Sequence, residues 1–287
     1  MKLVNAFSLL LDLRFAIVSA FIPTLKSVLL NPLLLFRPGQ LSRIFMANVW
    51  VKFGSGLDEG IREIKRGLIE ANAYGVVLDI GAGHGHTARY LNQARVTRYV
   101  ALEPNKLMHS EIRARANEAG FFESDGRLII LGCGAEDTTT ILKALDEPNA
   151  RTPTSPVGDR RQQSGRADTI ISVLTLCTVP EPEKTIAGLA RDVLKSGGQL
   201  LYYEHVKSPR EDVVWWQKFW TPIWSMAFDG CKLDRPTDRW IMKLRGEGVD
   251  GSGDVEGSMW REWKEWGKEG EDEECLFWHS TGKFVKR

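Results

Sequence analysis

Residues Val76–Gly85 read VVLDIGAGHG, and this stretch decides the fold. An apolar run passes through Asp79 directly into a turn with glycines at positions 81, 83 and 85. Glycine has no Cβ, so the backbone of such a turn can approach a ligand closely. A buried strand, a glycine-rich turn and a helix in this order are typical of cofactor sites in α/β proteins. The stretch therefore predicts a cofactor site at the end of a strand.

The spacing of the glycines separates two classes of cofactor. Dinucleotide enzymes prefer GxGxxG and place a pyrophosphate at the helix N-terminus. This turn reads GxGxG, and Asp79 stands two residues before its first glycine. A carboxylate there would repel a pyrophosphate, but it suits a ligand that carries an ammonium and a sulfonium group. The pattern favours the sulfonium cofactor and leaves a nicotinamide dinucleotide as the alternative.

Further apolar runs alternate with helical stretches along the chain. The runs lie at 76–80, 99–102, 128–131, 169–174 and 199–203. This alternation predicts βαβ units and a mainly parallel sheet, which is an α/β fold. Upstream, residues 41–74 have helical periodicity, and we expect Gly54, Gly56 and Gly60 to break that helix.

The turn resembles motif I of class I S-adenosylmethionine-dependent methyltransferases, and other motifs of that family follow in order up to residue 205. The resemblance implies a seven-stranded Rossmann-like sheet with helices on both faces, and S-adenosylmethionine as the cofactor. Glu103 would accept the ribose hydroxyls, and Glu136, with Asp137 in reserve, would contact the adenine amino group. The implied cofactor-binding residues are Asp79, Gly81, Ala82, Gly83, Gly85, Glu103, Glu136, Asp137 and Leu174.

A narrower resemblance rests on TLCTVP, GGQLLYYEHV, FDGC and the C-terminal LFWHSTGKFVK. These segments resemble the membrane-associated methyltransferase-like family that includes alkyl thiol methyltransferases and is related to ubiquinone-biosynthesis methyltransferases. The seven-stranded family needs two closing strands here. We expect them near residues 260–267 and 276–285, joined by a solvated loop over Glu269–Glu274.

The candidate catalytic residues follow the fifth predicted strand, since ligands bind at the carboxyl ends of strands in open α/β sheets. Glu204 or His205 could face the methyl group, and the near-neutral pKa of histidine favours His205 as the base. Asp229 could orient His205 or take the proton itself. His205 as a strand-end hydrogen-bonding residue and Asp229 as a plain turn residue are the alternatives.

A tryptophan-rich helix follows these residues. We interpret it as a lid with an aromatic acceptor pocket, formed by Trp216, Trp220 and Trp224. The alternatives are a core helix and a helix at a membrane interface, where tryptophan is favoured.

Residues 1–40 form an apolar extension before the methyltransferase domain, which we assign to residues 41–287 with inserted loops at 146–167 and 245–258. The longest uncharged run, 15–25, is too short for a spanning helix. A polar stripe that includes Asp12 and Ser19 suits a helix lying in a membrane interface. We therefore predict a peripheral membrane contact through residues 1–36, with a lid over the active site as the alternative.

Charge and cysteine content exclude other classes of function. The 38 basic and 37 acidic residues leave a net charge of +1, which argues against a nucleic-acid partner. The four cysteines include no CxxC pair, so we expect reduced intracellular thiols and no metal site. We expect a cytoplasmic location, or one on the cytoplasmic face of the endoplasmic reticulum or of lipid droplets.

These features together predict an enzyme that methylates the hydroxyl of a small lipophilic molecule, as in the biosynthesis of secondary metabolites. Thiol S-methylation at a membrane is the first alternative, and quinone-type C-methylation is the second. A membrane-attached scaffold that binds the cofactor without catalysis is the alternative outside the enzymes. The sequence does not indicate an oligomeric state.

Overall fold

The computed structural model describes residues 1–146, 166–246 and 257–287. The two predicted inserted loops, 146–167 and 245–258, lie mostly outside these ranges. One sheet of seven strands runs through the described chain. The strands are β1 (Gly75–Ile80), β2 (Val96–Leu102), β3 (Leu128–Leu131), β4 (Ala167–Val173), β5 (Leu194–His205), β6 (Trp260–Gly267) and β7 (His279–Lys286).

The order of the strands creates a crevice in the middle of the sheet. The sheet reads β3-β2-β1-β4-β5-β7-β6; the first five strands of the chain pair in parallel, and β7 is antiparallel to both neighbours. The chain leaves β1 towards β2 and β3 and later returns to place β4 on the other side of β1. At such a switch point the connections diverge and leave room for a ligand. The predicted seven-stranded Rossmann-like fold is confirmed, together with its two closing strands.

Helices cover both faces of the sheet. They are α1 (Leu3–Ala6), α2 (Leu9–Leu30), α3 (Pro38–Gly60), α4 (Arg62–Lys65), α5 (His109–Glu118), α6 (Thr138–Asp146), α7 (Pro182–Gly188), α8 (Glu211–Ala227) and α9 (Thr237–Met242). Consecutive strand residues pack on opposite faces: Leu78 and Ile170 belong to one apolar cluster, and Val77 and Ile171 belong to the other. Burial on both faces explains why the parallel strands read as continuous apolar runs.

Helix α3 differs from the expectation of a helix broken at several glycines. It continues through Gly54 and Gly56 and ends at Gly60, after which α4 follows. A glycine inside a helix costs only about 1 kcal/mol relative to alanine, which the packing of a long helix can offset. At Gly54 the absence of a side chain allows close packing, since a Cβ there would lie 2.9 Å from Trp50 and 3.0 Å from His86.

The N-terminal extension folds back onto the domain. One side of α2 carries Leu9, Ala16 and Ala20. This side shares an apolar cluster with the tryptophans of α8. Helix α3 crosses the predicted domain boundary at residue 40, so this boundary stays a prediction. Within the described residues, the stretch Leu3–Leu30 is long and apolar enough to cross a membrane by length and composition. The uncharged run alone underestimated this length, because the helix continues past its charged residues.

Candidate active site

A cavity of about 570 Å³ lies at the carboxyl ends of β1, β2 and β4 and under α3. Its floor is the turn after β1, and its far side includes the segment after β4. This volume falls in the range of small-molecule and cofactor sites. The cavity therefore lies where the sequence predicts a cofactor site.

The glycine turn has a backbone that other residues would not adopt without strain. Gly81, Gly83 and Gly85 have φ values of 65°, 56° and 78°. A Cβ at Gly81 would lie 2.3 Å from the side chain of Thr175, and one at Gly85 would lie 2.8 Å from the backbone of Ile112. The left-handed backbone and the close neighbours both require glycine, so the turn is built to bring its backbone next to a ligand.

Two buried carboxyl groups border this turn. Asp79 is 1% exposed and accepts a 2.8 Å hydrogen bond from the Tyr99 hydroxyl, and burial raises its pKa to about 6. Glu103 accepts hydrogen bonds from the backbone N–H groups of Gly83 (3.0 Å) and Asn105 (2.8 Å). Burial raises the pKa of Glu103 to about 7 against those two hydrogen bonds. Both groups suit a ligand that brings positive charge or hydroxyl donors.

The structure separates the two acids that follow β3. Glu136 lines the cavity. Asp137 lies outside the lining and caps the start of α6, where it accepts hydrogen bonds from the backbone N–H (3.0 Å) and hydroxyl (2.7 Å) of Thr140. Glu136 is therefore the adenine-side candidate. Ala82 and Leu174 also line the cavity, and Leu174 has a φ of 54°.

Asp229 is the one predicted catalytic residue that lines the cavity. Its Oδ1 lies 4.0 Å from Nε of Arg43, and its backbone N–H donates a 3.2 Å hydrogen bond to the hydroxyl of Ser42. Burial raises the pKa of Asp229. Its position near Glu103 also raises the pKa of Glu103, which places the two acids in one electrostatic environment.

Glu204 lies outside the cavity lining and has a different set of contacts. It is fully buried and accepts hydrogen bonds from the Ser172 hydroxyl (2.6 Å) and from the backbone N–H groups of Thr175 (3.0 Å) and Leu176 (3.2 Å). These bonds tie the end of β5 to the segment that follows β4. Glu204 therefore holds in place the segment after β4, which lines the cavity, without lining the cavity itself.

His205 and the three tryptophans also lie away from the cavity lining. The imidazole Nε2 of His205 is 3.4 Å from the Cys231 sulfur. Trp216, Trp220 and Trp224 pack against the N-terminal extension, and Nε1 of Trp220 donates a 2.7 Å hydrogen bond to the backbone oxygen of Ala6. Helix α8 is therefore covered by the extension instead of closing over the cavity.

The wall over the cavity is helix α3, which the sequence did not single out. Met46, Trp50 and Leu57 contribute its apolar part. Asp58 and Lys65 add a buried ion pair with an Oδ1–Nζ distance of 2.7 Å. A possible signal was Trp50, which is the only tryptophan before residue 215.

Two histidines of the glycine turn complete the lining. His84 and His86 both line the cavity. Burial, together with Arg115, lowers the pKa of His86 to about 4, so its ring is neutral near pH 7. The site thus combines a glycine cradle, buried acids and an apolar wall, and these residues fit S-adenosylmethionine.

Comparison with known proteins gives a family match. A family model described as "Methyltransferase domain" matches residues 57–246. Two relatives are named thiol S-methyltransferase TMT1B. The one from Rattus norvegicus is 39% identical over 79 residues, which are 27% of this chain and 32% of the relative. The one from Homo sapiens is 38% identical over 85 residues, which are 29% and 34%. The matched region spans about a third of the length of these relatives.

A solved structure agrees with the fold. An O-methyltransferase family protein from Burkholderia thailandensis superimposes with a TM-score of 0.53 at 13% identity. The superposition covers 86% of this chain and 60% of the other. At this identity the likeness extends to the architecture of the sheet and its helices alone.

Proposed function

The chain belongs to the methyltransferase domain family, and from that premise we propose that it transfers a methyl group from S-adenosylmethionine to the sulfur of a small lipophilic thiol. The observation that carries the methyl transfer is the cavity that joins the glycine turn and its buried acids to Asp229. The names of the matched relatives favour sulfur over the hydroxyl oxygen expected from the sequence.

The described residues would provide a contact for each part of the cofactor. Asp79 and the backbone of the glycine turn would hold the amino-acid end, Glu103 the ribose hydroxyls and Glu136 the adenine amino group. The cofactor supplies a methyl group made electrophilic by a positively charged sulfur. The ionised forms of Asp79 and Glu103 complement that charge, and the low-dielectric surroundings strengthen the attraction.

The acceptor would enter beneath α3. The apolar surface of Met46, Trp50 and Leu57 suits a lipophilic molecule, since burial of apolar area drives its binding. Asp229 is the proposed proton acceptor: it would take the proton of the acceptor thiol, whose sulfur lone pair would form the new bond to the methyl carbon. The bond between that carbon and the sulfonium sulfur would break at the same time, and the rest of the cofactor would leave as a neutral thioether. A positioned base of this kind contributes about 10²- to 10⁴-fold to a rate. His205 has no comparable access to the cavity, so Asp229 replaces it in this role.

The experiment is a matched screen of acceptors. The full chain is incubated with isotope-labelled S-adenosylmethionine and with pairs that differ only in the acceptor atom, such as thiophenol with phenol and an alkanethiol with its alkanol. We expect labelled thioethers from the thiols. The Asp79→Asn variant controls for uncatalysed transfer.

Each other outcome replaces a specific part of the proposal. Labelled ethers without thioethers would restore the hydroxyl acceptor that the sequence favoured. Cofactor binding in calorimetry without any labelled product would instead support the non-enzymatic scaffold.

A peripheral membrane contact through residues 1–36 is the second part of the proposal. The buried side of α2 carries small residues, such as Ala16 and Ala20, whereas its outer side exposes large ones. Leu11, Val18, Ile22 and Leu29 are 70–74% exposed. Such an exposed apolar stripe indicates an apolar partner. A lipid surface fits because Arg14, Lys26 and Arg37 interrupt or flank the stripe and favour anionic headgroups.

A further inference from the structure

Three segments that are far apart in the sequence bring two thiols and an imidazole together behind the cavity. Cys177 follows β4, His205 is the last residue of β5, and Cys231 lies in the loop after α8. One sulfur or nitrogen atom from each residue lies within 4.8 Å of the others. The three residues are 3%, 4% and 6% exposed, so the cluster is almost completely shielded from water.

The polar atoms of this cluster have few other partners. The Nε2 atom of His205 lies 3.4 Å from the Cys231 sulfur. The Nδ1 atom of His205 is buried and has no hydrogen-bonding partner among the described residues. Outside the cluster, the Cys177 sulfur lies 3.8 Å from the backbone oxygen of Leu174. A buried imidazole with an unsatisfied nitrogen is uncommon, because an unmade hydrogen bond costs about 1–3 kcal/mol.

We propose that Cys177, His205 and Cys231 bind one thiophilic metal ion, and Zn²⁺ is the ion that fits these ligands best. Two sulfurs and one imidazole nitrogen are donors that zinc prefers. Two thiolates would neutralise the charge of a divalent ion, which makes the buried site electrically balanced. The three protein donors supply three of the four positions of a tetrahedral ion.

The ion would connect the segment after β4, which lines the cavity, to the loop that carries the proposed base. The two backbones already meet there, since the N–H of Lys232 donates a 3.1 Å hydrogen bond to the Cys177 oxygen. Thr178 lines the cavity one residue after Cys177, and Asp229 does so two residues before Cys231. A metal clamp at this point would fix the position of Asp229 without touching the reacting atoms.

The test measures metal content in the full chain, produced without a polyhistidine tag. Elemental analysis should find about one zinc per chain in the wild type. The Cys177→Ser and Cys231→Ser variants should each retain less than about a tenth of that amount, because a hydroxyl is a poor zinc ligand. Cys275→Ser is the matched control, since it removes a thiol outside the cluster, and it should keep the ion.

A second measurement avoids dependence on the folding of the variants. Wild-type protein stripped with a chelator is titrated with Co²⁺, and cysteine ligation should produce sulfur-to-cobalt charge-transfer absorption. The proposal is overturned if folded wild-type protein takes up neither Zn²⁺ nor Co²⁺ under reducing conditions, or if both serine variants bind as much as the wild type. It is also overturned if the reduced protein binds no metal and air oxidation merely joins Cys177 to Cys231 in a disulfide. Methyl transfer is not measured, so failure here leaves the proposed function intact.

Discussion

Asp79 and Glu103 are neighbouring buried acids with raised pKa values, and their chemistry follows from what surrounds them. The chain offers them hydrogen bonds from Tyr99 and from two backbone N–H groups, which only partly offset the loss of hydration. Without a cationic ligand in the cavity, the protonated form of each acid is favoured up to a pH of about 6 for Asp79 and about 7 for Glu103. A positively charged ligand would reverse that preference.

The affinity for S-adenosylmethionine should therefore depend on pH. Ligand binding needs ionised carboxylates, so affinity should fall as the pH drops through about 7 and then about 6. The expected loss is about tenfold per pH unit for each protonated group. Calorimetric titration across this range measures it, with uncharged adenosine as the control. An affinity for S-adenosylmethionine that stays constant down to about pH 5 would contradict the assignment.

The same shifts predict the opposite trend for the stability of the ligand-free protein. A raised pKa in the folded state contributes stability below the unfolded value, and that contribution is lost as the pH rises through the folded value. The free energy of unfolding should thus decline between about pH 4 and about pH 7 through these two groups. Urea unfolding of wild type and Asp79→Asn tests this, because the variant should show a smaller decline.

Replacement of Asp229 tests the proposed base directly. Asp229→Asn keeps the size of the side chain but cannot take a proton, so turnover should fall roughly 10²-fold while cofactor affinity is maintained. Initial rates with the best thiol measure the effect. Asp192→Asn, which changes a partly exposed carboxylate outside the cavity lining, is the control. Turnover that is unchanged in Asp229→Asn would remove Asp229 from the mechanism.

At the residue scale, most residues predicted for the cofactor line the cavity, whereas of the predicted catalytic and acceptor-pocket residues Asp229 alone does. The positions of the glycine turn, Asp79 and Glu103 can be predicted from local sequence, because each lies next to its own strand, at a fixed place in the sheet. Glu204 and His205 also stand at a strand end, but what covers each face depends on distant segments. His205, for example, meets Cys231 from a loop 26 residues further along the chain.

At the scale of elements, α3 has the most specific effect on the site. It is the roof of the cavity, and Gly54 permits its close approach to the glycine turn. The sequence marked Gly54 and Gly56 only as helix breakers, because glycine propensity is visible locally and close packing is not. The two positions differ in the structure: Gly54 has close neighbours, whereas a Cβ at Gly56 would meet nothing within 4 Å.

A matched pair of alanine variants uses this difference. Gly56→Ala should stabilise the protein by about 0.5–1 kcal/mol, because alanine favours the helix and meets open space. Gly54→Ala should lose that gain and raise the KM for the acceptor, because its Cβ would press on Trp50 and His86. Urea unfolding and steady-state kinetics measure the two effects. Equal stability gains and equal KM values would show that α3 does not constrain the cavity.

Helix α2 shows a second limit of sequence patterns. The sequence showed that α2 is apolar, but it did not show which side of the helix faces the protein. The predicted polar stripe included Ser19, which is 7% exposed and faces the protein. Apart from Leu9, its buried side carries small residues such as Ala16 and Ala20, which allow close approach, and most of the large apolar residues are consequently left outside.

At the scale of the whole molecule, the near-zero charge conceals an uneven distribution. The first 45 residues carry five basic residues and one acidic one, whereas residues 246–274 carry eleven acidic and three basic ones. Part of the acidic run anchors the extension: Glu274 accepts a 2.8 Å hydrogen bond from the side chain of Asn5. The seven-stranded sheet followed from the family resemblance, but this docking depends on contacts more than 260 residues apart in sequence.

The proposed membrane contact predicts how the full chain partitions. Combined serine replacement of Leu11, Val18 and Ile22 should reduce co-sedimentation with phosphatidylcholine–phosphatidylserine vesicles about tenfold or more, since each buried apolar side chain contributes roughly 1.5–3 kcal/mol. Phe122→Ser, which removes an exposed apolar residue outside α2, should sediment like the wild type. Equal sedimentation of the triple variant and the wild type would exclude residues 1–36 as the contact.

Helix α3 forms the roof of the cavity and also packs against α2. This double contact has a kinetic consequence. With α2 in a bilayer, the roof lies next to the lipid phase, in which a lipophilic acceptor accumulates. The concentration that governs the rate is then the mole fraction of acceptor in the lipid, and not its amount per volume of water. Adding inert phospholipid at constant total acceptor should slow the reaction by surface dilution, although the enzyme and its cofactor are unchanged.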